Sequence, residues 1–177
     1  MRLLLTLLAV GVFVPAGVKA QSSVTLKATV SETVTLSTSD LSGAVSNGNT
    51  VRITLPGPDA SVLRVPLLVR SNSGFKITVS FESQTAVLTE LSVADVRATG
   101  RLVSSQIVNA VQVKPQLNPD TSQPLFVVSG PRVSLGGTLN SPNNALQITV
   151  VIRLKPGRPP ESPVHLTFVA TPGSLTP

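Results

Sequence analysis

Apolar residues recur at every second position in short runs along this chain, and no long stretch carries them at the spacing of a helix. The longest run is 146–154, where Leu146, Ile148, Val150, Ile152 and Leu154 alternate with Gln147, Thr149, Val151 and Arg153. Successive side chains of a strand point to opposite faces, so such a run buries one face and exposes the other. Val51–Leu55, Leu63–Val69, Phe75–Phe81, Ile107–Val113 and Val164–Ala170 read the same way, and 125–137 reads as one bent strand or two short ones around Gly130-Pro131. Ser71–Gly74 lies between two such runs and reads as a hairpin turn. Pro66 cannot donate to a ladder, which predicts an edge position or a bulge for its strand. Leu41–Asn49, Lys114–Pro124, Gly136–Asn144 and Pro156–Pro163 read as loops. Residues 84–100 read as irregular with at most one helical turn, because Leu88 and Leu91 fit either periodicity. About eight strands at short spacing predict an all-β fold, an antiparallel β-sandwich of immunoglobulin-like type, with a closed barrel as the alternative. A membrane barrel is disfavoured, since its strands need about 10 residues and aromatic girdles.

The beginning of the chain has a different character. Met1-Arg2 is followed by the stretch Leu3–Val14, apolar except for Thr6, then Pro15, Gly17 and Val18-Lys19-Ala20, which puts small or modest residues at the two positions a signal peptidase reads. This is the layout of a secretory signal peptide, too short for a membrane span of about 20 residues. The expected organisation is a signal peptide over 1–20, an N-terminal extension or first strand over 21–32, a sandwich over 33–171 and a frayed tail over 172–177. Export through a cleaved leader, to the periplasm and then the cell surface or to the medium, follows as the expected localisation, without stable membrane insertion. The chain has no Cys, so the fold relies on core burial and sheet hydrogen bonds rather than on disulfides. The net charge is +6, and +4 without Arg2 and Lys19 of the leader. The basic residues are scattered singly and there is no Trp or Tyr, a composition that disfavours nucleic-acid binding.

Catalytic patterns are sparse. His165 is the only histidine, and it alternates out of phase with Val164, Leu166 and Phe168, on the expected solvent face. One His and no Cys exclude the usual zinc ligand sets. No nucleophile elbow, phosphate loop or calcium loop appears. The acids Glu32, Asp40, Asp59, Glu82, Glu90, Asp95, Asp120 and Glu161 are spread along the chain without the aromatic residues that sugar-cleaving sites use. The expectation is a protein that is not an enzyme and takes no cofactor or metal.

The first mature segment, "VTLKATVSETVTL" over 24–36, carries the most specific signal. Val24, Leu26, Ala28 and Val30 form one apolar comb, and Val34 and Leu36 form a second. A continuous strand would place Glu32 on the apolar face, a costly position for an unpaired carboxylate, so a bend is expected near Ser31-Glu32. One use of such a segment is β-strand addition to the sheet edge of another subunit, which propagates head to tail as a fibre. The other is the first strand of a self-contained sandwich, which would make the chain a monomeric immunoglobulin-like binding module working through loops or sheet edges.

The segment resembles the N-terminal donor region of chaperone–usher pilus subunits of the Cys-free, colonisation-factor (alpha) type. Val24, Thr25, Leu26, Ala28, Val30, Val34 and Leu36 fit that form, while Ser31-Glu32 stands where the family often has Asp-Pro. The resemblance implies an incomplete immunoglobulin-like subunit of a pilus or fimbria-like fibre. Its partners would be copies of itself or related subunits, a periplasmic chaperone and an outer-membrane usher. Val24, Leu26, Ala28 and Val30 would then be the donor-strand plugs, and Val164, Leu166, Phe168 and Ala170 would border the receiving groove.

Overall fold

The computed structural model describes residues 31–39, 41–56, 62–98, 109–133, 145–155 and 163–173. They belong to one compact unit that begins at Ser31. Eleven strands lie among the described residues: β1 Val34–Thr38, β2 Ala44–Asn47, β3 Thr50–Leu55, β4 Val62–Ser71, β5 Phe75–Ser83, β6 Val87–Ala98, β7 Gln112–Val113, β8 Gln116–Leu117, β9 Leu125–Gly130, β10 Leu146–Lys155 and β11 Val164–Pro172. They form two antiparallel sheets, one ordered β1-β4-β10-β6-β8 and the other β2-β3-β11-β5-β9-β7. The predicted β-sandwich is therefore the fold, and the barrel alternative falls away.

Alternation places the core. Val65, Leu67 and Val69 of β4 and Ile148, Val150 and Ile152 of β10 face Val51 and Ile53 of β3, Ile77 and Val79 of β5, and Leu166 and Phe168 of β11 across the interior, all fully buried. Face-to-face burial of two such surfaces is what makes a two-layer sandwich stable. Among the described residues no buried side-chain nitrogen or oxygen lacks a partner.

Several readings from sequence need correction. Among them, the run expected over Ile107–Val113 is strand only at Gln112–Val113 among the described residues, Asn109 and Ala110 being outside any strand, and the expected loop Lys114–Pro124 contains β8. Nor are β4 and β5 a hairpin. They lie in opposite sheets, so Ser71–Gly74 carries the chain over the core as an arch. Alternation fixes which face a strand buries but not which strand it pairs with, and two strands facing each other across a core read like a hairpin. The arch is stabilised from within: the buried Ser71 hydroxyl accepts from the Ser73 N–H at 3.3 Å and lies 3.2 Å from the Thr33 carbonyl oxygen. A Cβ on Gly74 would collide with the carbonyl of Gly173, whose N–H bonds the Gly74 carbonyl at 2.9 Å.

β6 is a twelve-residue strand, not an irregular segment. Its ladder with β10 shifts register twice, leaving Thr89 and Ala94 as extra residues. Each bulge stretches the spacing of inward side chains from two to three, so Leu88, Leu91, Val93 and Val96 all turn toward the core. That spacing of three is what resembles a helical face in the bare sequence.

Likewise, Leu41–Asn49 is not simply a loop. It contains β2, which pairs with β3 through a two-residue turn at Gly48-Asn49. Gly48 has φ 60°, the sign a type II′ turn requires at its first central position.

Pro66 fits the sheet in a way its sequence did not specify. β4 is an interior strand, flanked by β1 and β10. The Pro66 carbonyl accepts from the Thr38 hydroxyl at 2.6 Å, so its ring nitrogen faces the same side, just beyond the last β1 pair, Thr38 with Leu67. No ladder donor is lost there.

Both open sides of the sandwich are bridged. On one side the Leu36 N–H of β1 bonds the Gly48 carbonyl at 2.9 Å, and the Thr38 N–H bonds the Ser46 hydroxyl at 3.3 Å. On the other, residues 112–117 cross between the sheets: β7 pairs with β9, β8 pairs with β6, and Gln116 Nε2 donates to the Phe126 carbonyl at 2.7 Å.

Candidate functional site

The sequence singles out two strand surfaces, one donating and one receiving. Val24, Leu26, Ala28 and Val30 lie outside the described residues. The point where the chain leaves that segment is fixed, however. The Asn72 side chain, at the tip of the β4–β5 arch, accepts from the Thr33 N–H at 2.7 Å and donates to the Ser31 carbonyl at 2.8 Å. Glu32 between them is exposed, and β1 starts at Val34. The expected conflict of burying Glu32 is thus avoided, and the second comb, Val34 and Leu36, packs on the core.

The proposed receiving strand is placed differently from the expectation. Val164, Leu166, Phe168 and Ala170 are all fully buried, but β11 is an interior strand with a ladder on each edge. β3 pairs along Val164–Val169 on one side, and β5 pairs along Val164–Pro172 on the other. Beyond the end of β3, the Asn49 carbonyl accepts from the Ala170 N–H and the Asn49 side-chain amide donates to the Ala170 carbonyl, both at 2.9 Å. No lane for an incoming strand remains beside these four residues. In the strand order of a constant-type immunoglobulin domain, β1-β4-β10-β6 occupy positions A-B-E-D, and β5 and β11 occupy C and F. Position G, which normally follows F in the chain, is here taken by β3, which comes before B. The β2–β3 hairpin that fills it is the feature the sequence reading passed over, and Asn47-Gly48-Asn49 was the available signal.

Among the described strands, β6 has the longest outer stretch left without a strand partner. β10 pairs with its whole length, but on its outer side the only strand among the described residues is β8, at Glu90 and Leu91. The Asn118 N–H adds one bond to the Thr89 carbonyl at 2.8 Å. From Ser92 to Ala98 the outer edge has no strand partner among the described residues, and the Val93 and Val96 side chains beneath it are only partly covered. The two bulges and the Arg97–Asp95 and Arg153–Glu90 ion pairs, the latter at 2.6 Å, are the devices that keep an edge strand from pairing indiscriminately. Glu90 and Asp95 thus face arginines on the outside of a sheet, without another carboxylate in a cleft.

His165 lies on the outer face of the other sheet, as its phase indicated, between Thr54 of β3 and Glu82 of β5. Its Nδ1 is 3.2 Å from the Thr54 hydroxyl. Beside it is a shallow concavity of about 310 Å³ lined by Glu82, Ser83, Gln84 and Pro163. Among the described residues no three His, Cys, Asp or Glu side chains come together as a metal site. No helix among them is long and apolar enough to cross a membrane. No family model, no curated protein and no solved structure matches this chain, so its geometry carries the functional argument.

Proposed function

We propose that this protein is a non-enzymatic, exported structural subunit of a surface fibre, built on a sandwich that completes itself and assembled by strand addition at the β6 edge. The observation that carries the reading is the pairing of one filled lane with one open edge. The lane beside β11 is taken by the chain's own β3, whereas the outer side of Ser92–Ala98 has no strand partner among the described residues. The segment Val24–Val30 is as long as that edge, and its apolar comb suits the partly covered Val93 and Val96. The Asn72 clamp on Ser31 and Thr33 supports a sandwich that holds its own start firmly while the preceding residues serve a neighbouring copy. A chaperone and an usher are the partners this reading would bring with it.

The filled lane also favours the second reading, a monomeric binding module in which residues 24–30 belong to the chain's own fold. One experiment separates the two. A chain starting at Ser31 is expected to fold and stay monomeric in light scattering, while the chain starting at Gln21 self-associates. A peptide of residues 23–31 should bind the shorter chain, and Val96→Lys should abolish that binding. If the Gln21 chain is monomeric at high concentration and the peptide does not bind, the fibre reading fails and the monomeric module stands.

A further inference from the structure

The turn between β2 and β3 contains the one Asn-Gly dipeptide of the chain, Asn47-Gly48. An asparagine side-chain amide is open to attack by the backbone nitrogen of the next residue, and glycine hinders that attack least because it has no Cβ. The structure sorts the asparagines by whether this reaction is open to them. The Asn72 side chain is held at both ends, its nitrogen donating to the Ser31 carbonyl and its oxygen accepting from the Thr33 N–H. The Asn49 amide is tied to the Ala170 carbonyl, and the β-branched Thr50 follows it. Asn109 is followed by Ala110, whose Cβ crowds the attack, and Asn118 by Pro119, which has no N–H. Asn140, Asn143 and Asn144 lie outside the described residues, and none precedes a glycine. Asn47 differs from all of these. Its side chain is exposed and has no hydrogen-bond partner among the described residues. The Gly48 carbonyl accepts from the Leu36 N–H at 2.9 Å, but the Gly48 N–H is unbonded and the space around its Cα is open.

The reaction balances with water alone. The Gly48 nitrogen bonds the Asn47 Cγ and gives up its proton, the Cγ–Nδ2 bond breaks, and ammonia leaves. The resulting succinimide takes up one water at either carbonyl. It opens to an aspartate or to an isoaspartate, in which the main chain runs through Cγ and is one methylene longer. Attack requires Asn47 to leave its extended conformation. That costs little here, because Asn47–Thr50 is the terminal pair of a four-residue edge strand, and pairs at such ends open locally. The turn holds two contacts that the longer main chain would displace. Gly48 ties the hairpin to β1 through Leu36, and Asn49 closes the end of the lane beside β11 through its two bonds to Ala170. An ordinary aspartate leaves the backbone path unchanged and spares both.

We propose that Asn47 is a self-modification site, and that its conversion to isoaspartate releases the β2–β3 turn from β1 and from the Ala170 end of β11. The inference does not depend on strand addition at β6. The chain starting at Gln21 is aged in buffer and followed by peptide-mapping mass spectrometry, with isoaspartate detected by enzymatic carboxyl methylation. In the folded chain Asn47 should be the asparagine that converts, faster at mildly alkaline than at mildly acidic pH because the attacking nitrogen must give up its proton. In urea Asn72 should convert as well, since its clamp is gone. Asn47→Gln should lose the isoaspartyl signal of the folded chain and melt like the parent. The isoaspartate-rich fraction of the aged chain should melt roughly 2–4 °C lower, the shift a protein of this size shows for loss of about one hydrogen bond. Its Leu36 and Ala170 amides should exchange faster. Asn47→Asp carries the same added charge on an ordinary backbone and should keep the parent's melting temperature. The proposal is overturned if Asn47 survives in the folded chain while it converts in urea, or if Asn72 converts as fast as Asn47 in the folded chain. It is also overturned if Asn47→Asp loses as much stability as the aged fraction.

Discussion

Asp120 shows how a single exposed residue shapes local structure in this chain. Its carboxylate accepts from the Ser122 N–H at 2.9 Å, closing a turn in the connection between β8 and β9. That backbone bond, followed by the Ser122 hydroxyl, holds its pKa below the ordinary aspartate range against a slight opposing effect of burial. Because the folded value is depressed, the turn's contribution is present above the unfolded pKa and is lost as pH falls through the folded one. The Asp120 carboxyl resonance should titrate at lower pH than that of an unstructured aspartate, and Ser122→Pro, which removes the donor, should bring it back up. Asn72 was harder to read than Asp120. In the sequence it is one polar residue of a turn, and its bonds to Ser31 and Thr33 exist only because the arch brings residues 39 to 41 positions apart into contact.

Most strands were legible because a buried face imposes a period of two. β3, β4, β5, β9, β10 and β11 all follow the expected apolar residues. β6 escaped because its bulges imitate a different period. Removing Ala94 from the sequence leaves Leu91, Ser92, Val93, Asp95, Val96 and Arg97 in strict alternation, with the same side chains inward. Deleting Ala94 is therefore expected to preserve the fold at a cost under about 2 kcal/mol, measured by urea denaturation. Deleting Thr149 of β10, which lies in the continuous ladder with β4, should abolish folding, because it turns one half of that strand's core residues outward. The smoother edge left by loss of Ala94 should also make that variant more prone to associate. The pairing of strands was less legible than their existence. The resemblance implied β11 as a groove border, and nothing in Val164–Ala170 indicates that β3 pairs alongside it. The donor residues Val24, Leu26, Ala28 and Val30 were legible as a comb, but a comb does not identify the sheet it completes.

At the scale of the whole molecule, the chain changes sheet at almost every step. Apart from β2 and β3, each pair of consecutive strands among the described residues lies in opposite sheets. The β2–β3 ladder is thus the one local pairing, and every other ladder joins strands distant in sequence. With only one local ladder, unfolding should be a single transition in which far-UV and near-UV signals coincide. Refolding should take milliseconds to seconds, as for other folds dominated by non-local pairing, and stopped-flow fluorescence of a Phe81→Trp variant would follow it. An additional fast phase carrying native-like ellipticity would contradict this. The position of β11 gives the chain a built-in check on completeness. This strand joins the β2–β3 hairpin to β5, β9 and β7, follows every other described strand in the chain, and is the strand without which that sheet is two fragments. A polypeptide cut short after Lys155 would present unjoined edges to proteases, and such truncated copies would be degraded faster than the chain that carries β11.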